Sequence, residues 1–281
     1  MAYLADAKTS DTKTSDVRPL KLTDFEKMRA TGEKIASLTC YDSSFATLLD
    51  RCGVDIQLVG DSLGNVLQGH TSTLPVTMEH MEYHTACVVR GVRRSFVMTD
   101  LPFGSYQESP SQAMRNAARL MAAGAQMVKL EGGAHMTETV HFLVQRGVPV
   151  CAHIGLTPQS VHQLGGYRVQ GANQLTAKVL LDDAKSLAEA GAAFILMEMV
   201  PTKVAGAITA ALTTAGTIGI GAGVDCSGQV LVLHDMIGVY PGKKARFTKD
   251  FMAGASSIDD AVTRYVQDVK GKSFPAAEHS Y

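Results

Sequence analysis

One pattern of apolar and polar positions recurs along the chain. A stretch with helical apolar spacing ends in glycine, a short apolar run follows, and that run closes on a polar residue. The instances read TGEKIASLTCYD, CGVDIQLVGDS, RGVRRSFVMTD, AGAQMVKLEGG, RGVPVCAHIG, AGAAFILMEMVP and AGTIGIGAG, with glycines at Gly32, Gly53, Gly91, Gly124, Gly147, Gly191 and Gly216. Glycine takes the left-handed backbone that commonly closes a helix. Apolar runs without polar alternation suit strands buried on both faces, which is the condition of a parallel sheet. The intervening segments have helical spacing. Residues 110–123 begin with Pro110 and align Ala113, Ala117, Leu120 and Met121; residues 175–190 align Leu175, Val179, Leu180, Leu187 and Ala188.

Strand followed by helix, repeated, demands crossover connections and a parallel sheet. An eighth strand fits Gln229–Leu233, ahead of His234 and Asp235, and a last helix fits residues 258–270. Eight such units predict an α/β fold, a closed (β/α)8 TIM barrel in one domain over residues 18–281. The alternative is an open doubly wound sheet with fewer strands. Residues 1–17 are polar and carry TKTSD-like repeats. They read as a flexible tail, lacking the apolar core of a secretory signal.

Composition narrows the function class. The 281 residues are 46% hydrophobic and 19% charged, with a formal net charge of -1. That is ordinary for a soluble globular domain and unlike the basic footprint of a nucleic-acid binder. The longest apolar runs, such as Phe194–Met197, fall far short of a membrane span. The cysteines Cys40, Cys52, Cys87, Cys151 and Cys226 are scattered and form no CxxC pair, so neither a disulfide framework nor a zinc site is indicated. Three of them sit in apolar stretches, which suits buried thiols in a reducing cytoplasm.

Active sites of such barrels lie where the strands end. The polar residues closing the runs are Asp42, Asp61 with Ser62, Asp100, Lys129 and Glu131, His153, Glu198, and His234 with Asp235. So many carboxylates around one mouth repel one another unless a cation joins them, and hard oxygen ligands favour Mg²⁺. Several of these residues also have plainer readings. Asp42, ahead of SSFATLL, is well placed to cap a helix. Asp61 could also cap, although its glycine-flanked setting lets the backbone approach a ligand. Asp100 precedes Leu101-Pro102, where a cap fits less well. Glu131 and Glu198 are poor caps and sit among apolar neighbours, where a carboxylate needs a partner. Lys129 and Glu131 alternate on one strand, so both face the barrel interior or both face the helices, and a simple ion pair would also explain them. His153 reads equally as a site residue or as a hydrogen-bonded core residue. Gly219–Gly223 (GIGAG) matches neither a dinucleotide fingerprint nor a P-loop and reads as a tight strand-to-loop passage. Residues 62–76 and 154–174, rich in Gly, Ser, Thr and Gln, read as substrate loops on the catalytic face.

Longer motifs carry a resemblance. VGDSLGNVLQGHTSTLPVT, TDLPFGSY, VKLEGG, AHIGLTPQSVHQLGGYRVQG, MEMVP and GIGAG, with EHS near the end, are similar to the ketopantoate hydroxymethyltransferase family from about residue 20 onward. The resemblance implies a barrel related to phosphoenolpyruvate mutase and isocitrate lyase. It implies transfer of a hydroxymethyl group from 5,10-methylenetetrahydrofolate to 3-methyl-2-oxobutanoate, giving 2-dehydropantoate on the route to pantothenate. Carried over by motif, Asp61, Asp100 and Glu131 correspond to the Mg²⁺ site. Ser62 and Lys129, together with Asp61 and Asp100, correspond to the contacts with the small 2-oxo acid, and Glu198 corresponds to the general base. A cytoplasmic homo-oligomer, a decamer, is implied as well.

Two departures stand out: Asn65, where an apolar residue is expected, and the start of the seventh strand, TTAGTIGIG. Neither falls on a proposed ligand. A carbon–carbon lyase of the same superfamily is the first rival reading, but such lyases carry a cysteine in a KKCGH-like lid motif, and residues 154–174 contain none. The second rival is a non-catalytic barrel that binds small acids. No local motif reads as a folate site, so the donor rests on the resemblance alone.

Overall fold

The computed structural model describes residues 18–281; the tail expected over residues 1–17 lies outside them. Eight strands form the barrel: β1 (Ile35–Thr39), β2 (Ile56–Val59), β3 (Phe96–Asp100), β4 (Met127–Glu131), β5 (Val150–Gly155), β6 (Phe194–Glu198), β7 (Gly216–Ile220) and β8 (Gly228–Leu231). Each pairs in parallel with the next, and β8 returns to β1 with Ile35 opposite Gly228. The barrel is therefore closed, a (β/α)8 TIM barrel, and the open-sheet alternative falls. Nearly every strand position is buried, as strands enclosed on both faces require.

The helices follow in chain order. They are α1 (Leu22–Thr31), α2 (Ser43–Arg51), α3 (Leu63–Val66), α4 (Met78–Gly91), α5 (Pro110–Ala122), α6 (Thr137–Val144), α7 (Val161–Leu164), α8 (Gln174–Glu189), α9 (Thr202–Ala211), α10 (Leu233–Met236) and α11 (Ile258–Lys270). Helix α1 closes the N-terminal end of the barrel. Its Phe25 meets Phe96 and Phe194, the first residues of β3 and β6, edge to face at 5.4 and 5.6 Å. Solvent therefore reaches the interior from the opposite end, where the strands finish. No helix among the described residues is long and apolar enough to cross a membrane.

Several expectations need correction. Of the seven glycines, Gly91 and Gly216 do not close helices in the left-handed region. Gly91 is the last residue of α4, and a Cβ there would run into the Ser43 carbonyl; Gly216 opens β7, and a Cβ would lie 2.7 Å from the Phe194 ring. Close approach, not positive φ, calls for glycine at both. On α8, Leu180, Leu187 and Ala188 are buried, but Leu175 and Val179 are 74% and 51% exposed. That pair lies one turn apart on a stripe beside the core-facing one. The eighth strand ends at Leu231, two residues early, so His234 and Asp235 sit in the short helix α10. Asp42 is a cap: its Oδ1 accepts from the Ser44 and Phe45 amides at 2.8 and 2.9 Å.

Candidate active site at the strand ends

One cavity of about 800 Å³ opens at the C-terminal mouth. Asp61, Ser62, Asp100, Lys129, Glu131, His153, Glu198 and Asp235 all line it; Asp42 and His234 do not. His234 instead packs its ring 5.6 Å from that of Tyr41 and 6.4 Å from that of Phe45. Lys129 and Glu131 both face inward, which settles the strand alternation. Both long loops contribute, through Ser62, Asn65 and Thr73 from the first and Pro158 and Tyr167 from the second. Asn65 donates to the His70 carbonyl at 2.9 Å, pinning the turn of the first loop.

The floor is a network of buried charge. Register places Asp100 beside Lys129 and Glu131 beside His153. Lys129 Nζ lies 3.1 Å from Asp100 Oδ1, with both side chains almost fully buried, and 3.3 Å from His153 Nδ1. His153 Nδ1 is 3.5 Å from Glu131 Oε1, and its Nε2 is 3.4 Å from Glu198 Oε2. The histidine thus joins the carboxylate of β4 to that of β6. Burial and Lys129 oppose a charge on His153, yet the Glu131 and Glu198 carboxylates raise its pKa to about 9. It is buried and lines the cavity between the two carboxylates. After Glu198 the backbone turns through Met199 at φ 48, a left-handed conformation that costs energy for a side chain of this size. That turn ends the strand, and the Met199 amide is held by the Ile220 carbonyl.

Gln159, in the 3₁₀ turn that follows β5, ties the carboxylates together. Its Nε2 donates to Asp61 Oδ2 at 2.9 Å and to the Leu101 carbonyl at 3.0 Å, while its backbone amide donates to Glu131 Oε2 at 2.9 Å. Its Oε1 accepts from the buried Tyr106 hydroxyl at 2.6 Å. The Asp61 amide donates to Asp100 Oδ2 at 2.9 Å. Ser62 Oγ is held 2.9 Å from the Tyr41 hydroxyl. Sequence reasoning singled out none of Gln159, Tyr106 or Tyr41.

The charge balance bears on a metal ion. Burial, then repulsion from Asp100 and Glu131, pushes the Asp61 carboxyl well above its ordinary range. Asp100 is raised as well, chiefly by burial, although Lys129 opposes the shift. Asp100 Oδ1 is buried, with the Lys129 ammonium at 3.1 Å and no further hydrogen-bond partner. One lysine and one histidine share the floor with four carboxyl groups, so acidic groups outnumber basic ones. Among the described residues, no group of three or more Asp, Glu, His or Cys side chains is placed as a cage that could hold a metal ion. Mg²⁺ needs no such cage: it takes one or two carboxylates and fills its octahedron with waters and substrate. A buried carboxylate oxygen met by one ammonium alone, an excess of acidic over basic groups and an all-oxygen donor set fit that ion.

The profile of a family described as "Ketopantoate hydroxymethyltransferase" matches residues 19–277. The chain belongs to that family. A 3-methyl-2-oxobutanoate hydroxymethyltransferase of Azoarcus sp. (strain BH72) is 73% identical over all of both chains. Family membership makes this protein a transferase enzyme. Among solved structures, a phosphonopyruvate hydrolase in complex with oxalate and Mg²⁺ matches with a TM-score of 0.57 at 12% identity, covering 76% of this chain and 81% of its own. A 2,3-dimethylmalate lyase of the phosphoenolpyruvate mutase and isocitrate lyase superfamily matches with a TM-score of 0.55 at 14% identity and the same coverage. At such identity these two share the barrel fold.

Proposed function

We propose that the protein is a 3-methyl-2-oxobutanoate hydroxymethyltransferase, taking the one-carbon unit from 5,10-methylenetetrahydrofolate to form 2-dehydropantoate for pantothenate synthesis. The observation that carries the reading is the convergence of Asp61, Asp100 and Glu131 on the floor of one cavity, with Glu198 set across from them behind His153. Asp61, Asp100 and Glu131 would hold Mg²⁺, one or two of them directly and the rest through the waters the ion keeps. The bound ion supplies Lewis-acid polarisation of a 2-oxo acid and positive charge opposite a developing oxyanion.

The chain's own groups do the rest. Ser62, steadied by Tyr41, and Lys129 contact the oxo acid, with Asp61 and Asp100 beside them. Glu198 removes the proton at C3, and the charge that appears on the keto oxygen is met by the Lys129 ammonium, which its carboxylate neighbours hold protonated against the cost of burial. C3 bonds to the methylene carbon of the donor as both bonds from that carbon to the folate nitrogens break; water gives the carbon its hydroxyl, and the proton taken from C3 and the second proton of water end on the two nitrogens. Among the described residues no cysteine lines the cavity, which disfavours the lyase reading. The enzyme acts in the cytoplasm as a homo-oligomer, a decamer; the exposed Leu175 and Val179 on α8 support burial against another copy.

The test is mass-spectrometric detection of 2-dehydropantoate from the two substrates, with Mg²⁺ or with a chelator. Product should form only with metal. Glu198→Gln should stop both turnover and exchange of the C3 proton with deuterated solvent while retaining oxo-acid binding. Undiminished exchange in that variant removes Glu198 from the base role, and absence of product from folded parent enzyme with Mg²⁺ removes the transferase reading.

A further inference from the structure

The cavity is far larger than a small branched oxo acid requires; about 800 Å³ is the size of pockets that enclose drug-sized ligands. Its charges are segregated by depth. The floor holds Asp61, Asp100 and Glu131 around the buried Lys129, with Glu198 beside His153. The segment between α10 and α11 places three exposed cations, Lys243, Lys244 and Arg246, on the lining of the same cavity. These cations are weakly committed. Lys244 pairs with Asp250 at 3.2 Å, both substantially exposed, an arrangement that adds little and exchanges readily. Arg246 donates Nε to the Glu278 carbonyl and stands 5.4 Å over the Tyr281 ring. Among the described residues neither Arg246 nor Lys243 has a carboxylate partner. Asp235 is the acid on this side of the lining.

We propose that Lys243, Lys244 and Arg246 form a docking site for the anionic glutamate tail of the folate donor, and that the enzyme favours donors bearing several γ-linked glutamates. The inference rests on the transferase reading above. The donor is elongated, with its reactive methylene on the pterin end and its carboxylates on the other. The methylene must reach the oxo acid over the floor, beside Glu198. The tail is then left at the rim, and each added glutamate brings another carboxylate to it. A donor entering tail first would meet the floor carboxylates and be repelled, so rim cations also select the direction of entry. The rings of Tyr240 and Tyr281, which line the same region, offer stacking surfaces for the bridging aminobenzoyl group.

The experiment compares KM for the monoglutamate and pentaglutamate forms of 5,10-methylenetetrahydrofolate in parent enzyme and in Lys243→Ala/Arg246→Ala, with 3-methyl-2-oxobutanoate saturating. The parent should favour the pentaglutamate by about tenfold, as several weak exposed ion pairs would give. Added salt should shrink that ratio, and the double variant should bring it close to one. The charge-preserving Lys243→Arg/Arg246→Lys should keep it, which separates charge from local packing. A parent KM equal for the two donors, or a preference that survives in the alanine variant, overturns the tail site while leaving the transferase reading intact. Product from neither donor, with Mg²⁺ bound and the C3 proton exchanging, overturns the folate reading itself.

Discussion

Gln159 shows how an uncharged side chain organises a charged site. Its amide and backbone together reach Asp61, Glu131, the Leu101 carbonyl and the Tyr106 hydroxyl. Held in this way, two carboxylates keep one orientation before any ligand arrives, and lost outer contacts of this kind typically cost tenfold or more in metal affinity. Gln159→Leu, close in volume but unable to donate, should therefore weaken Mn²⁺ or Mg²⁺ binding by about tenfold in calorimetry. Affinity equal to the parent's would reduce Gln159 to a space-filling role. In sequence it is one polar residue of the TPQS stretch in a long loop, the kind of residue that usually faces water. Asp61, Asp100, Glu131 and Glu198 were legible because a carboxylate at the end of an apolar run conflicts with its neighbours. A glutamine in a polar loop conflicts with nothing. His153 lay between these cases, and only the folded barrel shows that it stands between Glu131 and Glu198.

At the scale of elements, one residue type does two jobs. Asp42 and Asp61 each follow an apolar strand, yet Asp42 spends its carboxylate on the first turn of α2 while Asp61 points into the cavity. Asp42→Ala should cost about 1 kcal/mol through loss of the cap, lowering the melting temperature by roughly 2–4 °C. Because Asp42 does not line the cavity, turnover should persist below the melt. A thermal scan paired with the product assay checks both halves, and lost activity in a folded Asp42→Ala protein would contradict the assignment. The strands and long helices were legible from periodicity, because burial of one helix face or both strand faces imposes its own spacing on the sequence. α10 was read as the end of a strand, since VLVLHDM has no glycine or proline to mark where extended backbone gives way to a helical turn.

For the whole molecule, closure is the decisive event. It leaves no free strand edge and gathers the ends of eight strands around one mouth. The outer surface then answers a different question. Leu175 and Val179 fit an amphipathic pattern, yet they stay exposed in a single chain. Native mass spectrometry should find ten subunits, and Leu175→Asp/Val179→Asp should shift the population to smaller assemblies; an unchanged assembly would place α8 outside the interface. What the sequence by itself determined was the succession of eight strands with the long helices between them, the carboxylates at the strand ends and the family, because these depend on residues near one another in the chain or on motifs that survive intact. Tertiary structure alone decided the rest: that Phe25 stops the barrel bottom, that Gln159 and Tyr106 brace the Asp61 and Glu131 carboxylates, and that Lys243 to Arg246 and Tyr281 wall the cavity holding Glu198. Those contacts join residues far apart in the chain, and no local spacing records a distance that only closure of the barrel makes short.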